Sequence, residues 1–79
     1  MIKVLFFGPV ADRVQTREMQ FNYTQGMTLH DITHQVGMQH PGALSIVSFI
    51  AVNQTQVRDK QMSLHDNDEI AFMAKFSGG

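Results

Sequence analysis

The sequence predicts an α+β domain, a mixed sheet of four to five strands with one main helix laid across one face. Two runs of alternating apolar residues, at positions 2–7 and 70–76, mark strands near the ends of the chain. Between them Leu29, Ile32 and Val36 recur at the spacing of a single helix face. Glycine, proline and Asn/Asp-rich turns separate these runs, so each element is short.

The first strand, residues 2–7, is β-branched and aromatic and closes at Gly8-Pro9. Ile2, Val4 and Phe6 share one face; Lys3, Leu5 and Phe7 share the other. Large apolar groups on both sides mean a strand central in a covered sheet, or one that keeps a face for a partner. Residues 10–16 are mixed and read as a loop with room for one helical turn around Ala11, Asp12 and Arg13. Residues 18–23 then alternate, which puts Met19, Phe21 and Tyr23 on the buried face of a second strand. The short link to the first favours an antiparallel hairpin.

Gln25-Gly26 ends that strand. Thr28, with Asp31 three residues on, resembles a capping box, and Gly37 stands where a left-handed helix cap is expected. His40-Pro41-Gly42 breaks the chain into a connecting loop. Residues 46–52 form a strand-like run whose first residues also suit a helix; Asn53-Gln54-Thr55 turns it, and residues 56–58 return as a short strand. Met62 and Leu64 are isolated apolar anchors. Residues 65–69 are a tight polar turn into the closing strand, where Ile70, Phe72, Ala74 and Phe76 alternate with Ala71, Met73 and Lys75. If the first and last strands are central neighbours, their connection through the helix makes them parallel. The helix stripe then packs on Ile2, Val4, Phe6, Met19, Phe21, Ile70 and Phe72, a β-grasp or ubiquitin-like arrangement.

Composition narrows the function. At 79 residues the chain, 1–79, is one domain. A hydrophobic fraction of 43% with 16% charged residues fits a folded globular protein. Six Lys and Arg against seven Asp and Glu leave a net charge of −1, with no basic footprint for nucleic acid. The absence of cysteine excludes disulfides, thiol catalysis and cysteine-ligated metal, and agrees with a reducing, cytoplasmic setting. The opening apolar run is too short for a signal segment or a membrane span. His30 and His34 lie four apart on the helix, but no Glu or Cys is placed as a third ligand, so they read as solvated histidines and no metal is expected. His40 and His65 are loop residues without evident partners. Asp66, Asp68 and Glu69 lack calcium-loop spacing and read as turn formers.

The last residues carry the strongest functional signal. An apolar strand passes directly into Ser77, Gly78 and Gly79. Without a Cβ, a glycine pair can enter a passage too narrow for side chains and present the terminal carboxylate as the reactive group. Residues 77–79 are therefore expected to form a flexible tail.

The opening residues Met1-Ile2-Lys3-Val4-Leu5-Phe6-Phe7-Gly8, the central Ala51-Val52-Asn53-Gln54 and the run from Leu64 through Phe72 to Ser77-Gly78-Gly79 together resemble the sulfur-carrier family of the molybdopterin synthase small subunit and the thiazole-pathway carrier. The double-aromatic first strand followed by Gly8 is more similar to the molybdopterin branch. Two departures stand out: Ala74-Lys75 occupies the place of that branch's usual Pro-Pro pair, which implies a looser tail, and Asp66-Asn67-Asp68 replaces an Asp-Gly-Asp turn.

The resemblance implies that an adenylyltransferase similar to ubiquitin-activating enzymes uses ATP to activate Gly79, that the carboxylate becomes a thiocarboxylate, and that the tail delivers sulfur to a pyranopterin precursor inside a large subunit. The expected assembly is a heterotetramer. On this reading the chain is a co-substrate subunit with no bound cofactor, Gly78 serves tail access, and it has no acid–base constellation of its own. Leu5 and Phe7 beside Ala71 and Met73 would form a docking face away from the helix, continued by Lys75, Phe76 and Ser77 toward the tip, unless Val47, Phe49 or loop residues cover it. Two alternatives remain, a thiazole-pathway carrier and a ubiquitin-like module that binds partners noncovalently.

Overall fold

The computed structural model describes residues 1–75. Strand β1 (Ile2–Phe6) leads into helix α1 (Pro9–Val14), then strand β2 (Glu18–Phe21) and helix α2 (Leu29–Gln39). A 3₁₀ turn (Ala43–Ile46) precedes β3 (Val47–Val52), β4 (Thr55–Val57) and β5 (Glu69–Ala74). The strands form one five-stranded sheet in the order β2-β1-β5-β3-β4. The two terminal strands pair in parallel at its centre, Val4 opposite Ile70 and Phe6 opposite Phe72, and the other pairs are antiparallel. This is the β-grasp arrangement that the strand order implied.

The main helix starts as expected. The Thr28 hydroxyl accepts from the Asp31 N–H at 3.3 Å while the Asp31 carboxylate accepts from the Thr28 N–H at 2.8 Å, a complete capping box at the helix start. Leu29, Ile32 and Val36 are fully buried, packed into one core with Ile2, Val4, Phe6, Phe21, Ile70 and Phe72. The Phe6 and Phe72 rings stack across the central parallel pair at 5.9 Å.

Three local expectations are corrected. Residues 9–14 are a helix rather than a loop: Pro9 occupies its first turn, where the missing N–H costs nothing, and Val10 and Val14, one turn apart, are both buried. Gly37 does not cap α2. The helix continues to Gln39, the His40 N–H donates to the Val36 carbonyl at 2.9 Å, and a Cβ on Gly37 would lie 3.2 Å from Leu44, so this glycine admits the 3₁₀ turn against the helix. Strand β2 stops at Phe21, two residues short of Tyr23, although Tyr23 remains half-buried against the core.

Candidate functional site

Period-two geometry divides β5 between two jobs. Ile70 and Phe72 point into the core, whereas Ala71 and Met73 face the side of the sheet away from α2. On that side Leu5 lies opposite Ala71, and Met73 lies opposite Phe49. Phe7 continues β1 by one residue: its N–H donates to the Phe72 carbonyl at 3.2 Å, which fixes its position beside β5. Leu5 and Met73 are half-buried, while Phe7 remains 49% and Phe49 40% exposed. Phe49 therefore does not seal the face. It forms one wall of an apolar hollow of about 300 Å³, with Phe7, Pro9, Met73 and Ala74 as the others.

The sequence reading assigned Leu5, Phe7 and Met73 to this surface but not Phe49 or Pro9. The signal for Phe49 is its offset of two from Ala51, whose pairing with Ala71 sets the outward face of β3. A bulge between Val47 and Phe49 shifts the register just ahead of Phe49, so the alternation does not carry through from the start of the strand.

Because β1 and β5 are parallel, the exposed Phe7 end of one lies beside the Ala74 end of the other. The chain thus leaves the sheet at the hollow. Ala74, at the first position of the expected Pro-Pro pair, pairs with Val47 within the ladder, so β5 runs through it; the expected looser tail falls on residues outside the described ones. Lys75 follows, exposed, at the edge of the hollow's Ala74 wall. Phe76, Ser77, Gly78 and Gly79 lie outside the described residues.

The opposite end of β5 is anchored by polar bonds. Buried Asp68 accepts from the Asn53 side-chain amide at 2.9 Å and from the His65 N–H at 2.8 Å, and Asn53 in turn accepts from the Glu69 N–H at 2.9 Å. Asn67, at φ 71°, makes the left-handed bend that its short amide tolerates. Nearby, the Met1 ammonium donates to the Asp66 carboxylate at 2.6 Å, and this hydrogen bond holds the Asp66 carboxyl below the usual carboxylate range.

His30 and His34 stack on the outer flank of α2 at 6.2 Å; among the described residues no cluster of three or more His, Asp or Glu side chains is placed to hold a metal ion. No helix among the described residues is long and apolar enough to cross a membrane.

Comparison with known proteins gives the same outline. The family model described as the ThiS family matches residues 4–79. The comparison with curated proteins returned no match. Among solved structures, the chain is similar to SAMP1 from Haloferax volcanii (TM-score 0.85, 18% identity, 99% of this chain and 98% of that one covered). It is also similar to a putative molybdopterin converting factor subunit 1 from Pyrococcus furiosus (TM-score 0.82, 19% identity, 95% and 97% covered). A third likeness is to a protein–protein complex of subunits 1 and 2 of molybdopterin-converting factor from Helicobacter pylori (TM-score 0.67, 22% identity, 99% and 97% covered). At these identities the structural likenesses establish the fold.

Proposed function

The chain belongs to the ThiS family of small, ubiquitin-like sulfur carriers, and from that premise we propose that it carries sulfur on Gly79 as the small subunit of a molybdopterin synthase. A carboxylate is a poor electrophile. Attack of the Gly79 carboxylate on the α-phosphate of ATP, in the active site of a ubiquitin-activating-like adenylyltransferase, releases pyrophosphate and leaves an acyl-adenylate. A sulfide equivalent then adds to the activated carbonyl and AMP departs, leaving a thiocarboxylate anion. In the large subunit's pocket that soft nucleophile passes its sulfur to a cyclic pyranopterin precursor. Gly78 and Gly79 admit the tip to both active sites because neither carries a side chain. ATP belongs to the activating partner, and the chain supplies the transferable group.

The observation that carries this reading is the apolar hollow of Phe7, Pro9, Phe49 and Met73 at the end of the sheet where the chain leaves β5. A partner seated there has the tail beside its own active site. The Helicobacter pylori complex, in which subunits 1 and 2 of molybdopterin-converting factor assemble, supports a large-subunit partner; the heterotetramer rests on the family resemblance.

Intact-mass measurement after incubation with the adenylyltransferase, ATP and a sulfur source tests the carrier step. The expected result is replacement of one oxygen by sulfur on Gly79; an unmodified chain under conditions that load a control carrier points instead to a noncovalent module. Presenting the loaded protein with pyranopterin precursor and large subunit, or with a thiazole-forming partner, separates the two branches by which acceptor takes the sulfur. Deleting Gly79 is expected to abolish the mass gain and leave the thermal midpoint unchanged, since Gly79 follows the last strand, β5, in sequence.

A further inference from the structure

A second cleft opens on the helix side of the sheet, bounded by α2, the 3₁₀ turn and the β3–β4 hairpin, with a volume of about 420 Å³. Its floor is carbon. Leu44, Val47, Ile50 and Val57 each leave part of their surface to solvent there, above buried Phe72. Thr33, Ser48 and Gln56 make a polar rim, and Arg58 and Lys60 stand on it, both exposed. Among the described residues no acidic side chain lines the cleft.

The two cations are free of carboxylate partners among the described residues. Asp59, between them in sequence, accepts the Gln61 N–H at 2.9 Å within its own turn. The backbone that presents them is tied down: the His30 N–H donates to the Lys60 carbonyl at 2.7 Å and the Met62 N–H to the Asp59 carbonyl at 3.2 Å. A chain with a net charge of −1 thus places two positive charges, without a carboxylate partner among the described residues, at the mouth of a cleft with an aliphatic floor and a polar rim. Beside them β4 is an edge strand, whose outer backbone groups have no partner strand among the described residues.

We propose that this cleft binds an extended acidic–apolar peptide segment of a partner protein. Its aliphatic side chains cover Leu44, Val47, Ile50 and Val57, its carboxylates meet Arg58 and Lys60, and its main chain runs along β4 in the manner of strand addition. The apolar floor supplies contact area, while the cations choose a negative partner over a neutral or basic one. This surface lies on the helix side of the sheet, shares only Phe49 with the Phe7 and Met73 hollow, and does not depend on the sulfur-carrier reading.

The test is a nuclear magnetic resonance titration of the isotope-labelled full chain with the acetylated, amidated peptide Val-Ile-Leu-Asp-Asp-Glu. The expected result is saturable shifts centred on the amides of Leu44, Val57 and Arg58, none with the counterpart Val-Ile-Leu-Lys-Lys-Lys, and binding weakened about fivefold by the Arg58→Ala, Lys60→Ala double variant, the scale of losing two exposed ion pairs. Both side chains are exposed, so the double variant folds, and Phe7→Lys leaves this binding unchanged. The proposal is overturned by no saturable shift, by equal response to the two peptides, by full affinity in the double variant, or by shifts centred on Phe7 and Met73. Sodium octanoate reproducing the same shifts at equal concentration would also overturn it, in favour of a small amphipathic carboxylate.

Discussion

Asn53 shows how much one side chain decides here. It adopts φ 51°, bonds Asp68 with its amide nitrogen and accepts the Glu69 N–H with its oxygen, so one residue bends the β3–β4 turn and ties it to the start of β5. Asn53→Ala leaves a buried carboxylate oxygen short of a donor and places a Cβ in the left-handed region. We expect a loss of about 2 kcal/mol, read as a lower urea midpoint with unchanged denaturant slope. The Asp66 carboxyl is a contrasting case, since it is exposed and its lowered pKa comes first from the Met1 ammonium. A group whose pKa is depressed on folding contributes stability above its unfolded value and loses it as pH falls through the folded one. Acetylating the amine should therefore return the Asp66 titration, followed by nuclear magnetic resonance, to the ordinary carboxylate range; an unmoved titration would contradict the pairing.

Among the elements, the β3–β4 hairpin stores avoidable strain. Its two-residue turn, Asn53-Gln54, has positive φ at both positions, and only the first is a residue that accepts this readily. Gln54→Gly relieves the left-handed penalty, partly offset by the freedom glycine gains in the unfolded chain. A net gain of up to about 1 kcal/mol follows, or about 4–8 °C in the calorimetric midpoint for a domain of this size. Helix α1 carries a different lesson. Its two valines one turn apart are the helical signal, yet in a six-residue segment opened by Gly8-Pro9 two matches do not separate a helix from a loop, and burial under the end of the sheet made the difference. The longer α2 was legible because four cues agreed: capping box, apolar stripe, length and the breaker at Pro41.

For the whole molecule, the parallel pairing of β1 with β5 brings a patch from three separated stretches to the root of the tail. Phe7 contributes to that patch while half its surface is in solvent, so its loss should affect association more than folding. Phe7→Lys is expected to weaken binding of the large subunit at least tenfold by calorimetry, the scale of an interface hot spot, with stability changed by no more than about 0.5 kcal/mol. Equal affinity would remove the docking surface and leave the carrier chemistry to be tested by mass alone.

Local pattern by itself fixed the alternation of β1, β2 and β5, the capped apolar stripe of α2, and the glycine pair, because period, caps and missing side chains are properties of neighbouring residues. Tertiary structure alone decided that Phe49 and Pro9 join Phe7 and Met73, that Gly37 serves packing rather than capping, and that Arg58 and Lys60 flank a cleft with an aliphatic floor. Those facts depend on strand register and on which remote surfaces meet. Hydrogen bonding between distant strands sets both, and no short window of sequence contains it.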